Sequence, residues 1–329
     1  MSARRRLAVR VAPWLIALSA LALPAPALGH EIALGAYLPG ATWHPGLIDR
    51  YAHRVGRQPV IVSSYQPWTV QPFQRPTLNE AWRRGAIPMV TWEPWSWPRG
   101  RSFALRAIAA GRFDGYVRRA ARAAAEWGRP IMLRFGHEMN GTWYPWGRGH
   151  GSTAATYKQA WRHLVRIFRR EGATNVMWVW TPNVDNHGKY PFRGLYPGDA
   201  WVDWVGLDGF NWGRQGEWTS FRQVFGHSYG VLTRISRRPV IVAETGSTQR
   251  GGDKAAWVSR ALRTEIPRLR RIHAVVWFDE RFNGIDTRVD SSGGALRAFR
   301  GAARSPRYAM DRSRLLAVSL HFAARRGSR

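Results

Sequence analysis

Short apolar runs that alternate with longer, helix-like segments constrain the fold of this chain more than any other feature. The runs are apolar throughout and do not alternate with polar residues, which is typical of strands covered on both faces. Between them, the segment 154–170 places Trp161, Leu164 and Phe168 on one helical face. We predict strands at 32–38, 60–64, 87–92, 131–135, 176–180, 205–207, 240–243 and 274–278.

Eight strand–helix units in about 250 residues favour an α/β fold of the (β/α)8 TIM-barrel type in a single domain. An open doubly wound sheet is the competing architecture. Neither a G-x-G-x-x-G nor a phosphate-loop sequence follows the first strand, which disfavours that alternative. We expect the barrel over 30–300 and a basic tail over 301–329. The tail's apolar stretch at 315–322 could be a last helix or a loose end.

The first 29 residues have the pattern of a bacterial signal peptide. Arg4, Arg5 and Arg6 precede an apolar stretch at 7–23, and small residues follow at 24–29. We therefore expect a secreted protein, or a membrane-anchored one if this segment is not cleaved. No other run is long enough to span a bilayer, so no stable membrane insertion is expected after cleavage.

The charge and the tryptophan content narrow the class of partner. Lysine and arginine number 50 against 21 acidic residues, a formal charge of +29, but the arginines are spread along the chain. This pattern indicates a solvated surface first and an acidic polysaccharide or cell-envelope partner second. Without a reader motif, no specific nucleic acid is expected. The 19 tryptophans favour a groove lined by flat aromatic rings on which sugars stack. We also expect the protein to be a monomer.

Two carboxylates, Glu138 and Glu244, follow the fourth and seventh predicted strands. The active site of a TIM barrel lies at the C-terminal ends of its strands. Cleavage of a glycosidic bond needs one protonated carboxyl group and one ionised carboxylate, so this pair predicts a glycosidase. The alternative for either residue alone is a loop glutamate in a surface ion pair.

Other catalytic chemistries are less consistent with the chain. The zinc signature H-E-x-x-H is incomplete, because Gly141 stands where its second histidine would be. The nucleophile-elbow pattern G-x-S-x-G is absent. No metal and no cofactor are therefore predicted.

The position of each tryptophan along the predicted strands and helices indicates where its ring lies. We expect Trp127, Trp161, Trp178 and Trp180 in the core, and Trp92, Trp143, Trp146, Trp212 and Trp277 in the cleft.

The segment 134–143, RFGHEMNGTW, resembles the stretch after the fourth strand of glycoside hydrolase family 26, the β-mannanase family of a large retaining TIM-barrel clan. His137 in front of Glu138 is a mark of that family. The runs 196–208, 243–246 and 286–292 resemble further family motifs.

The resemblance implies that Glu138 is the acid/base and Glu244 the nucleophile, with carboxyl groups about 5–5.5 Å apart. It also implies that His137 contacts the sugar or orients Glu138. Arg134 lies four residues before Glu138, so in a strand both side chains would share a face, and Arg134 could hold the nucleophile ionised. Trp143 would stack on the sugar just beyond the cleavage point. The implied substrate-binding residues are His137, Arg134, Asn140, Trp143, Trp146, Trp92, Asp208, Trp212 and Trp277.

Departures from the family pattern leave the sugar open. Phe210 stands where a tyrosine is usual, and phenylalanine cannot donate a hydrogen bond to the nucleophile. Gly136 and Thr287 are also unusual at their positions. We expect a secreted, retaining endo-β-glycosidase acting on β-linked polysaccharide, most simply a β-1,4-mannanase. The alternatives are a β-glucanase-type enzyme and an exopolysaccharide-processing or exopolysaccharide-binding barrel with weak or no hydrolysis.

Overall fold

Eight parallel strands close into a barrel in chain order, which confirms the predicted (β/α)8 fold. The structure is a computed structural model that describes residues 30–96, 100, 102–185, 190–213, 217–282 and 284–324, so the predicted signal peptide lies outside the described residues. The strands are Ala33–Tyr37 (β1), Ile61–Pro67 (β2), Ile87–Glu93 (β3), Ile131–Phe135 (β4), Val176–Trp180 (β5), Trp204–Asn211 (β6), Val240–Ser247 (β7) and Ile272–Phe278 (β8).

Helices cover the outside of the barrel, and a short hairpin of Arg281–Phe282 (β9) and Ile285–Asp286 (β10) follows β8. A π-helical turn at Ala261–Glu265 separates the helices Lys254–Arg260 and Ile266–Arg268. The helices are Gly46–Val55 (α1), Arg75–Arg83 (α2), Leu105–Ala109 (α3), Asp114–Trp127 (α4), Ala154–Arg170 (α5), Phe221–Ile235 (α6), Lys254–Arg260 (α7), Ile266–Arg268 (α8), Gly293–Ala303 (α9) and Arg312–Ala324 (α10).

Each strand divides its side chains between two apolar layers. Met89, Met132 and Ile241 meet inside the barrel, whereas their neighbours Val90 and Leu133 pack between the strands and the outer helices. Successive side chains of a strand point to opposite faces, and both faces are covered here. This double burial is why the strands are continuous apolar runs in the sequence.

Helix α10 closes the end of the barrel at which the strands begin. Leu315 joins the apolar cluster inside the barrel, and the indole of Trp204 donates to Ser319 Oγ at 2.8 Å. The predicted tail therefore contains a docked helix. With this end covered, the opposite mouth is where a cleft can form. Among the described residues, no helix is long and apolar enough to cross a membrane.

Candidate active site

A β-bulge in β7 aims Glu244 into the mouth of the barrel. Ile241 and Ala243 point inward and Val242 outward, so strict alternation would turn Glu244 outward. The pairing register shifts at this point against both neighbouring strands, because β7 has one extra residue between its paired positions. A bulge of this kind re-aims the side chain that follows it. Both β6 and β7 also continue through polar residues beyond their predicted ends.

Glu138 sits on a tight turn directly after β4. Its φ is 50°, in the left-handed region that non-glycine residues rarely adopt. The turn is held by hydrogen bonds from Glu138 N to Thr181 O at 2.9 Å and from Gly141 N to Glu138 O at 2.9 Å. Gly136 has a φ of 49°, which explains a glycine at this position. Strained conformations of this type concentrate at functional sites.

The carboxyl group of Glu138 is nearly buried and bound by two donors. Trp143 Nε1 donates to Oε2 at 2.6 Å, and Asn183 Nδ2 donates to Oε1 at 2.7 Å. Burial and the charge of Glu244 raise the pKa of Glu138 to about 7, against the opposing effect of these two bonds. A carboxyl group with this pKa can hold a proton near neutral pH and release it during a reaction.

Glu244 lies in a different environment. Its Oε1 accepts hydrogen bonds from Tyr65 and from Arg134. Arg134 also donates to both oxygens of Asp208, at 3.0 and 2.9 Å, and to Thr91 Oγ1 at 2.9 Å. Burial disfavours the Arg134 cation, but Asp208 and Glu244 together raise its pKa. A permanent positive charge therefore rests against the Glu244 carboxylate.

Tyr65, which sequence reasoning missed, supplies the hydroxyl that Phe210 lacks. Phe210 packs against Trp212 at a ring-centroid distance of 4.6 Å and against Phe278 at 5.5 Å. Tyr65 reaches Glu244 from β2, on the far side of the barrel. Burial and the nearby Glu244 raise its pKa, so the phenol stays a donor at neutral pH. A polar run that continues the apolar segment 60–62 was the available signal.

His137 is a buried, neutral ring beside the carboxyl pair. Its Nε2 lies 3.1 Å from the hydroxyl of Tyr144, and its Nδ1 lies 4.0 Å from Glu93 Oε1. Burial and Arg134 lower its pKa well below the usual value. Glu93 and Tyr144 were also missed by sequence reasoning. The contacts favour an orienting role for His137 within this cluster over direct contact with a sugar.

Three tryptophans predicted to line the cleft are instead buried. Trp92 donates to Tyr116 at 3.3 Å, Trp146 donates to His137 O at 2.7 Å, and Trp277 donates to Thr287 O at 2.7 Å. The stacking prediction is wrong for these three, because neighbouring loops and helices cover their rings. The four tryptophans predicted for the core, Trp127, Trp161, Trp178 and Trp180, are buried as expected.

The substrate-binding prediction also needs correction for three polar residues. Arg134, Asn140 and Asp208 are each 0% exposed, so they present no atom to a ligand. Asn140 instead exchanges two hydrogen bonds of 2.9 Å with the backbone of Asn183. These residues position the glutamates and the loop beside them. Trp143 is 44% exposed and Trp212 is partly exposed, so stacking by these two stays a prediction.

Comparison with known proteins gives a consistent picture. The "Glycosyl hydrolase family 26" profile matches residues 112–245, which include both glutamates. Endoglucanase H of Acetivibrio thermocellus is 38% identical over 280 residues, which are 82% of this chain and 30% of that protein. A mannan endo-1,4-beta-mannosidase of Bacillus subtilis is 27% identical over 161 residues, 46% of this chain and 40% of that protein. The chain thus spans less than half of either relative.

Solved structures show the same fold. The catalytic domain of an endo-beta-1,4-mannanase from Bacillus sp. JAMB-750 has a TM-score of 0.67 at 19% identity, over 89% of this chain and 90% of that one. A double mutant of the Cellulomonas fimi endo-beta-1,4-mannanase has a TM-score of 0.66 at 20% identity, over 88% of this chain and 74% of that one. With its barrel, its matched profile and its relatives, this chain belongs to glycosyl hydrolase family 26.

Proposed function

We propose that this protein is a retaining endo-β-glycosidase that hydrolyses a β-linked polysaccharide, with mannan as the first candidate. One observation carries the proposal: the two glutamates lie in opposite environments. Burial raises the pKa of Glu138 to about 7, whereas Glu244 is held between the Arg134 cation and the Tyr65 hydroxyl. Two carboxyl groups whose environments differ in this way are suited to the roles of acid and nucleophile.

In the first step Glu138 gives its proton to the glycosidic oxygen as the bond to the anomeric carbon breaks. Glu244 attacks that carbon and forms a covalent glycosyl ester. The hydrogen bonds from Trp143 and Asn183 hold the Glu138 carboxyl group in place, and they stabilise the carboxylate that remains. In the second step Glu138 takes a proton from a water molecule while the water oxygen attacks the anomeric carbon. The ester bond to Glu244 breaks, which restores both residues.

A β-glucanase is the second candidate for the substrate. It is favoured by the relative named Endoglucanase H, whose 38% identity extends over 82% of this chain. The mannosidase relative matches a shorter part of the chain, 46%, at 27% identity. Since Phe210 replaces the tyrosine usual in the family, the environment of the nucleophile does not favour mannan specifically.

A reducing-sugar assay over mannan, glucomannan, barley β-glucan, cellulose and xylans tests the proposal. Release from mannan or glucomannan is expected, with Glu138→Gln and Glu244→Gln proteins as blanks. Release from barley β-glucan alone would favour the second candidate. Binding of polysaccharide without release of reducing ends from any of them would contradict hydrolysis and indicate a binding barrel.

We also propose that the protein acts outside the cell after removal of residues 1–29. The pattern of that segment supports export, and the described residues contain no helix able to cross a membrane. Mass spectrometry of the protein recovered from culture medium should give a mature N-terminus near residue 30. Full-length protein found only in the membrane fraction would contradict cleavage.

The pH dependence should follow Glu138. Because the acid must be protonated, we expect kcat/KM to fall about tenfold per pH unit above a pKa of about 7. Rates of hydrolysis of a soluble oligosaccharide between pH 5 and pH 9 measure this alkaline limb of the pH profile. The limb should disappear in Glu138→Gln, and a wild-type rate that stays constant to pH 9 would contradict the assignment.

Tyr65→Phe should lower kcat by about 10- to 100-fold, because a hydrogen bond to a charged group is lost. The value of KM should stay close to that of the wild type. Adding Phe210→Tyr should restore part of the rate by supplying a hydroxyl from β6. Tyr308→Phe is the control: it also removes one buried bond, from the hydroxyl to Leu262 O at 2.6 Å, but far from the cleft. Equal rates for Tyr65→Phe and wild type would contradict the role of Tyr65.

A further inference from the structure

A cavity of about 250 Å³ opens between the loops that follow β1 and β2. Its walls combine aromatic rings with neutral polar groups. Trp43 and Tyr37 supply rings, and Gln66, Gln74 and Thr42 supply amides and a hydroxyl. The catalytic steps described above use neither Trp43 nor these polar groups.

The chemistry of this cavity points to a neutral ligand. None of the described residues that line it carries a formal charge, although the whole chain has a charge of +29. An acidic polymer would be expected to select a basic wall instead. Amides, hydroxyls and ring faces together match a neutral sugar, which offers hydroxyl groups at its edge and apolar C–H groups on its faces.

Tyr65 lies between the cavity and the catalytic pair. This residue lines the cavity and also donates to Glu244. Tyr37 continues the wall, because its ring lies 5.0 Å from Tyr65 and 4.5 Å from Phe278. The leaving group departs on the side of the acid Glu138, so a chain that extends past Tyr65 carries the glycone sugars.

Trp43 is exposed to solvent on a turn that backbone hydrogen bonds hold. Its backbone N–H donates to Gly40 O at 3.0 Å, and Ala41 N donates to Leu38 O at 3.0 Å. Its side chain is 73% exposed, which is unusual for a large apolar group. Among the described residues the other exposed large apolar side chains are Val70, Trp143 and Leu320. Val70 lines the same cavity, and Trp143 contacts Glu138.

We propose that this cavity is a distal glycone subsite at which Trp43 stacks on a ring of a neutral β-linked glycan. The subsite rests on the proposed function, since it takes its direction from the roles of Glu138 and Glu244. The subsite increases the number of sugars that the protein binds, and it therefore favours a polysaccharide over a disaccharide as substrate.

The test compares substrates that differ only in the number of glycone sugars. The probes are 4-nitrophenyl β-manno-oligosides and β-cello-oligosides of one to four sugars, whose aryl group occupies the leaving-group side. Trp43→Ala should lower kcat/KM about tenfold for the longer probes and leave the one-sugar probe unchanged. Leu320→Ala, which removes an exposed apolar side chain at the other end of the barrel, should change none of them.

A binding measurement separates failure of the subsite from failure of the proposed function. Mannohexaose and cellohexaose are titrated calorimetrically into Glu244→Gln protein with and without Trp43→Ala. Weaker binding without the indole supports the subsite, even if the wild type hydrolyses no probe. Hydrolysis with an unchanged dependence on chain length in Trp43→Ala would overturn the subsite alone. Absence of both binding and hydrolysis would overturn both proposals.

Discussion

Glu244→Ala should lower kcat by a factor on the order of 10⁴ to 10⁶, because the change removes the carboxylate that forms the covalent intermediate. The fold should survive the change. The smaller side chain relieves the crowding of carboxylates in the barrel mouth, and Arg134 keeps Asp208 as a partner. Rates on the best polysaccharide and the thermal unfolding midpoint together measure this result.

Azide provides a control that separates a lost nucleophile from a damaged site. In Glu244→Ala a small anion can occupy the space of the missing carboxylate and attack an activated aryl glycoside. The expected product is the α-glycosyl azide, formed with one inversion at the anomeric carbon. Formation of the β-azide, or turnover equal to that of the wild type, would assign the nucleophile to another residue.

Glu138→Gln should give the second largest loss, about 10² to 10⁴-fold in kcat/KM on natural glycans. A sugar is a poor leaving group and needs the proton, whereas dinitrophenolate does not. The same variant should therefore form the glycosyl intermediate from a dinitrophenyl glycoside at nearly the wild-type rate. Assays on the two substrate types, side by side, measure this difference.

The control for Glu138→Gln is Glu126→Gln, which neutralises an exposed glutamate paired with Arg75 at 3.0 Å. That variant should keep wild-type kinetics on both substrates, since surface ion pairs contribute little. An equal loss on natural and dinitrophenyl substrates in Glu138→Gln would show that the residue does not act as the acid. The acid would then have to be assigned to another residue.

The strands were predicted well where burial alone defines them. The predicted runs 131–135 and 176–180 coincide with β4 and β5, because apolar residues on both faces begin and end with the strand. The predictions for β6 and β7 end four residues early. At the open mouth of the barrel the strand continues in polar residues, and the apolar pattern contains no signal for that extension.

The errors over the tryptophans have a similar origin. Trp92, Trp143 and Trp277 all lie at or just beyond a predicted strand end, yet only Trp143 is exposed among these three. Whether such a ring faces the cleft depends on which loops and helices fold over it. That covering is set by contacts between distant segments, such as the bond from Trp277 to Thr287, and not by position along the strand.

By itself, the sequence determined the barrel, the family resemblance through His137 and the pair of glutamates on the fourth and seventh strands. These features are local: an apolar run, a short motif, a carboxylate at the end of a run. The tertiary structure alone decided the bulge that aims Glu244, the docking of α10 and the contact from Tyr65. Tyr65 and Glu244 are 179 residues apart, and only closure of the barrel brings such residues together.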